Sequence, residues 1–167
     1  NKYNEQAYDV ILGSAKDAFN IDAESQQTKD MYGNTTVGKQ LLLARRLAEY
    51  GSRFITVHYG GWDMHGNIQK SLEGRVPPID QAISAFLEDI WQRGMNENVL
   101  LVVTSEFGRT KLNANSDRSY TPIENPIKPI DIAATLFNHF MIPSDIQRID
   151  NGGRPRYLLE GEAKIIL

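Results

Sequence analysis

Apolar residues recur three and four positions apart over residues 4–19, "NEQAYDVILGSAKDAF", where Ala7, Tyr8, Ile11, Leu12, Ala15 and Phe19 share one stripe. That period predicts an amphipathic helix. The next stretch, "NIDAESQQTKDMYGNTT", is polar and carries turn residues, so either a loop or short helical pieces are expected. A stronger helix is predicted over 36–50: Val37, Leu41, Ala44, Leu47 and Ala48 form its stripe, Thr35 or Thr36 caps it, and Gly51 ends it. Pro77 and Pro78 suit a helix start, which places the following helix from Val76 onward. Its face is Ile79, Ile83, Phe86, Leu87, Ile90 and Trp91, and Gly94 closes it. A last helix over 128–142 presents Ile130, Ala133, Leu136, Phe137 and Phe140 and stops before Pro143.

Two apolar runs break the helical period. "RFITVHY" and "NVLLVVT" are rich in β-branched residues, which suits strands buried on both faces, as parallel strands are. A helix between them makes the connection far too long for a hairpin, so parallel pairing and an α/β fold are expected. If strands 54–59 and 99–104 run parallel, their carboxyl ends meet at one sheet edge, where ligands bind in open α/β sheets.

The loops leaving that edge, "GGWDMHG" and "SEFGRT", would bring Asp63, His65, Glu106 and Arg109 together. Two carboxylates and an imidazole form a common donor set for zinc, manganese or iron. Arg109 adds a planar donor fork suited to phosphate or sulfate. Plainer roles exist for each residue. Asp63 could cap a turn, His65 could be an exposed loop residue, and Glu106 could pair with Arg109 at little energetic value. His58 reads as a hydrogen-bonded core histidine, His139 as a packed or surface side chain, and Trp62 and Trp91 as core anchors. Lys111, Asn113 and Asn115 read as solvated loop residues.

Composition narrows the chemistry. The 167-residue chain fits one domain, and its net charge of −3 comes without a basic, aromatic-laced patch for nucleic acid. No apolar stretch approaches the ~20 residues that span a bilayer. With no cysteine and three histidines, any metal must be held by carboxylates and by His58, His65 or His139. There is no P-loop, no dinucleotide Gly-X-Gly-X-X-G and no Gly-X-Ser-X-Gly elbow.

"FITVHYGGWDMHGN", "PPIDQAISAFLEDIWQRG" and "LLVVTSEFGRTKLN" together resemble the bacterial family called domain of unknown function 1501. "YGNTTVGKQLLLARRLAEYGSRF" and "PIKPIDIAATLFNHFMIP" fit as well, so the resemblance covers nearly the whole chain. It implies an alkaline phosphatase-like and sulfatase-like core: a three-layer α/β fold, its mostly parallel sheet flanked by helices on both faces, in a single domain. By position, Asp63, His65 and Glu106 look like ligands of a divalent metal such as zinc, with Arg109 assisting at the anion of a small phosphate or sulfate ester. Phe107 stands where phosphatases carry a further ligand, a departure that counts against a second metal. The family's Asp-His-Trp stretch is absent after Asn115, and the strands that carry the nucleophile are not represented. The resemblance therefore implies the C-terminal part of a larger, exported protein. It implies either a metal-dependent ester hydrolase or an incomplete member acting as a metal-binding or structural domain.

Overall fold

The computed structural model describes residues 15–105, 127–159 and 161–166. It falls into two compact units, Asn1–Val99 and Leu100–Leu167. Helices dominate the first; among the described residues the second holds one helix and a two-stranded hairpin. Most of the helix predicted over 4–19 lies outside the described residues; what is described is α1, Ala15–Ala18, followed by a 3₁₀ turn at Ile21–Ala23.

Of the two alternatives for the polar stretch, short helical pieces are the one that forms. In α2, Gln26–Tyr32, the Ser25 hydroxyl accepts from Thr28 N at 3.0 Å, satisfying one of the donors that a helix start leaves open. Thr35 repeats the device on Gly38 N at 3.1 Å and starts α3, Thr36–Glu49. Gly51, at φ +91°, takes the left-handed conformation just past the end of α3, as the sequence predicts.

The next helix, α4, begins eight residues before Val76 and runs Ile68–Gln92, with Pro77 and Pro78 inside it. The prolines remove two backbone donors, yet the stripe passes through them. Ile68, Leu72, Arg75 and Ile79 are half-buried, and Ala82, Ala85, Phe86, Asp89 and Ile90 are buried at the same helical spacing. Pro77 and Pro78 therefore do not mark the helix start: they are the tenth and eleventh residues of α4. Trp91, expected in the core, is 67% exposed and lies off this stripe.

The core of this unit is where α3 meets α4 and α2. Tyr32, Val37, Leu41, Leu42, Ala85, Phe86 and Ile90 are all buried there. Gly38 lets α3 press against the end of α2: a β-carbon on it would lie 2.2 Å from Tyr32 O and 2.5 Å from Gly33 O.

Arg45 is the most enclosed large side chain, and its charge is met on three sides. Its guanidinium lies 2.8 Å from Glu24, 2.6 Å from Glu49 and 2.7 Å from Asp89. Arg46 also pairs with Glu24 and donates to Ala18 O at 2.8 Å and Asp17 O at 2.6 Å, tying α1 to α3. Arg93 reaches Asp89 at 2.7 Å and Glu49 at 2.9 Å. Three guanidiniums thus face three carboxylates, and Tyr32 donates its hydroxyl to Asp89 at 3.0 Å. Burial, reinforced by the Asp89 charge, pushes the Tyr32 phenol well above its ordinary range. Burial pulls upward on Glu24, but hydrogen bonds from Arg45 and Arg46 outweigh it and hold the carboxyl below its usual value.

The expected parallel sheet is not formed. Among the described residues the only sheet is a two-stranded antiparallel one, so the three-layer α/β fold is corrected to a helical one. Residues 55–59 and 99–104 run without helix or ladder. Their side chains are not buried on both faces: Phe54 is 69% exposed and Val103 62%. β-propensity reports the fit of a side chain to a pleated, half-buried surface, and it cannot supply the neighbouring strand whose N–H and C=O groups complete the ladder.

In the second unit, α5 spans Pro129–His139, within the predicted range. Its buried residues are Asp131, Ala134 and Thr135 rather than the large apolar ones. Asp131 accepts from Lys128 N at 2.7 Å at the helix start and from Lys164 N at 2.9 Å. Thr135 accepts from Ile166 N at 3.0 Å, so α5 holds the extended residues 161–166 through polar side chains. The strands are β1, Gln147–Ile149, and β2, Pro155–Tyr157, joined by "DNGGR" and paired 147 with 157, 148 with 156 and 149 with 155. Asp150 builds the turn by accepting from Gly152 N at 2.8 Å and Arg154 N at 2.9 Å.

Those bonds, Arg154 N first, hold the Asp150 carboxyl below its usual range. A depressed folded value means the contribution is present above the unfolded carboxylate pKa of about 3.9 and is lost as pH falls through the folded one. Amide-exchange protection of Gly152 and Arg154 is therefore expected to be constant from neutral pH down to about 4 and to fall only below that. Loss centred near pH 6 would contradict the Asp150 turn.

Candidate functional site

The loop "YGGWDMHGN" connects the extended residues 54–59 to α4. Trp62 folds back on Tyr59: its indole Nε1 donates to Tyr59 O at 2.6 Å, and the rings meet edge to face at 5.6 Å. From about two helical turns into α4, Arg75 donates to Gly60 O at 3.2 Å and sets its guanidinium 5.9 Å from the Trp62 ring centre. Gly61 sits at φ +85°, where a side chain would be strained and would meet Arg75. Trp62 is thus a loop clasp at 38% exposure, not the core anchor expected.

The clasp presents the two residues after it. Asp63 Oδ1 and His65 Nδ1 lie 3.4 Å apart, with side chains 92% and 85% exposed. Met64 N donates to Trp62 O at 3.0 Å, so the loop is tightly turned rather than extended where the two side chains meet. Among the described residues Asp63 caps no turn, so the plainer role predicted for it is not the one it plays. Both groups are free to swing onto an ion, and oxygen with imidazole nitrogen is a donor pair that suits zinc. Among the described residues no group of three or more potential ligands gathers. Glu106 and Arg109, the other two predicted site residues, lie outside the described residues, as do Lys111, Asn113 and Asn115.

The remaining histidines take separate places. His58 is exposed rather than buried in a core, and His139 packs edge to face on Phe140 at 5.2 Å. No helix among the described residues is long and apolar enough to cross a membrane.

Residues 1–119 match the family described as "Protein of unknown function (DUF1501)". The chain belongs to this family. The matched span takes in the clasped loop together with Glu106 and Arg109. No curated protein and no solved structure matches this family member.

Two features were missed by sequence reasoning. Arg45 and Arg46 were passed over, although their place four residues after Leu41 and Leu42 on the α3 stripe pointed inward. The arginines at 148, 154 and 156 were passed over, although 148 and 156 stand symmetrically about Gly152 in a glycine-rich turn, a hairpin signal.

Proposed function

We propose that the protein contributes the metal-binding part of a divalent-metal-dependent hydrolase of phosphate or sulfate esters. Asp63 and His65 are two ligands of one ion, Glu106 is a third, and Arg109 acts at the anion. The observation that carries this reading is the 3.4 Å pairing of an exposed carboxylate and imidazole on a loop clasped by Arg75. An ion held there supplies Lewis-acid polarisation of an ester oxygen. The chain's own residues position it: Arg75 fixes the loop backbone, Asp63 offsets the ion's charge, and the Arg109 fork suits the non-bridging oxygens of the ester. The reading extends to a chemical kinship with alkaline phosphatases and sulfatases, and to a place for this chain in the C-terminal part of a longer protein. Both rest on the order of "GGWDMHG" and "SEFGRT" along the chain.

The zinc-loaded protein is expected to hydrolyse p-nitrophenyl phosphate or p-nitrophenyl sulfate faster than zinc in buffer does. Asp63→Ala and His65→Ala should each lower that rate at least on the order of tenfold, the smaller effect seen when even an outer partner of a metal ligand is lost. Both side chains are exposed, so the circular dichroism spectrum should not change. A rate no higher than that of free zinc, or one that neither substitution alters, rejects the reading.

A further inference from the structure

Arg75 is held against the clasped loop on three sides. Its Nη1 donates to Gly60 O at 3.2 Å, and its guanidinium carbon stands over the Trp62 ring, 5.9 Å from the centre. The third side is Gly61. A β-carbon there would lie 2.7 Å from Nη2 and 2.9 Å from Nη1, so the missing side chain makes the seat of the guanidinium. Trp62 is fixed in turn by its bond to Tyr59 O. The Arg75 side chain is therefore ordered in advance, which spares a ligand the entropy of ordering it.

What Arg75 lacks is a counter-ion. The Gly60 carbonyl, the Trp62 ring and Gly61 carry no net negative charge. Only one of the five N–H donors of the fork meets an acceptor among the described residues. One helical turn away on α4 stand Ser71, Leu72, Pro78 and Ile79, so the positions that pair charges along a helix offer no acid. Nearby acids are engaged elsewhere: Glu73 accepts from Gln69 at 3.1 Å, and Asp63 lies 3.4 Å from His65. Arg45, Arg46 and Arg93, the guanidiniums of the ion cluster in the same unit, each meet carboxylates. Arg75 is thus a positioned but unpaired cation, and Asp63 and His65 follow its glycine seat by two and four residues.

We propose that Arg75 is a contact for the phosphate or sulfate group of the ester, its fork donating to two of that group's oxygens beside Asp63 and His65. Two parallel N–H donors match two oxygens of such a group, a geometry that the point charge of lysine does not provide. That the oxyanion belongs to an ester rests on the proposed metal site; the guanidinium contact itself does not.

Arginine side-chain NMR of the whole protein, without added metal, tests the contact. Sodium phosphate and sodium sulfate are each titrated against sodium chloride and sodium acetate at matched ionic strength. Saturable shifts of the Arg75 Nε–H and the Trp62 indole N–H are expected with phosphate or sulfate, the tighter of the two naming the class of ester. Arg75→Gln should weaken binding on the order of tenfold or more, the scale for losing a hydrogen bond to a charged group. Arg75→Lys keeps the charge and should recover only part of the affinity. The Trp62 indole resonance without anion shows whether each variant keeps the clasp. Arg75 resonances that stay in place in the unsubstituted protein, or shifts that chloride or acetate reproduces, overturn the proposal. So does binding that Arg75→Gln leaves unchanged or that Arg75→Lys matches in full. Asp63→Ala removes a metal ligand and should leave the anion shifts in place, so failure of the metal site and failure of the Arg75 contact are read separately.

Discussion

Replacing Arg45 with alanine is expected to destabilise the protein by about 3–5 kcal/mol, the cost of removing one partner from a buried ion pair. The loss comes less from the attraction itself than from what remains behind. Glu24 and Asp89 are enclosed with Arg45, and without it they keep negative charges that water cannot reach. Arg46 and Arg93 still contact them, which places the effect inside that range rather than above it. Urea unfolding followed by circular dichroism measures the change, and a difference under about 1 kcal/mol would mean that the cluster is solvated like a surface pair. Acid should act on the same group of residues. Because the Glu24 carboxyl is held below its ordinary value, its contribution is intact above about pH 4.3 and is lost as pH falls through the lower folded value.

Gly38→Ala tests the packing beside that cluster. In an exposed helix interior this change usually gains about 1 kcal/mol. Here the added carbon would stand 2.2 Å from Tyr32 O and 2.5 Å from Gly33 O, and backbone cannot turn aside as a side chain does. Sterics should win over propensity, with a net loss of roughly 1–3 kcal/mol. In a thermal melt that is a drop of about 4–8 °C for each kcal/mol. A melting temperature that rises would show that α3 and the end of α2 are not held in contact.

The helices were the legible part of this sequence because their period is local. Val37, Leu41 and Ala44 give a stripe whatever the chain does elsewhere, and Thr35 and Gly51 mark its ends by chemistry confined to one turn. The prolines misled because they favour a first turn without requiring one, while Ile68 and Leu72 continued the stripe upstream. The parallel sheet was not legible. "RFITVHY" and "NVLLVVT" have strand composition, but a ladder is made between segments and neither run carries a record of its partner. The hairpin was legible in principle, since the glycine-rich turn and flanking arginines are close in sequence. For the site, the Asp63 and His65 pairing was expected in an extended loop and forms in a tightly turned one. Convergence with Glu106 was inferred from the sheet, and that support is gone.

The most direct test of the proposed metal site is a zinc titration of the whole protein, following the imidazole nitrogens of His65 by long-range proton–nitrogen NMR. One equivalent of zinc should shift one His65 nitrogen by metal coordination and leave His139 unmoved, and Asp63→Ala should weaken that response at least on the order of tenfold. His65 resonances that stay in place through millimolar zinc, or that respond equally well without Asp63, would contradict it.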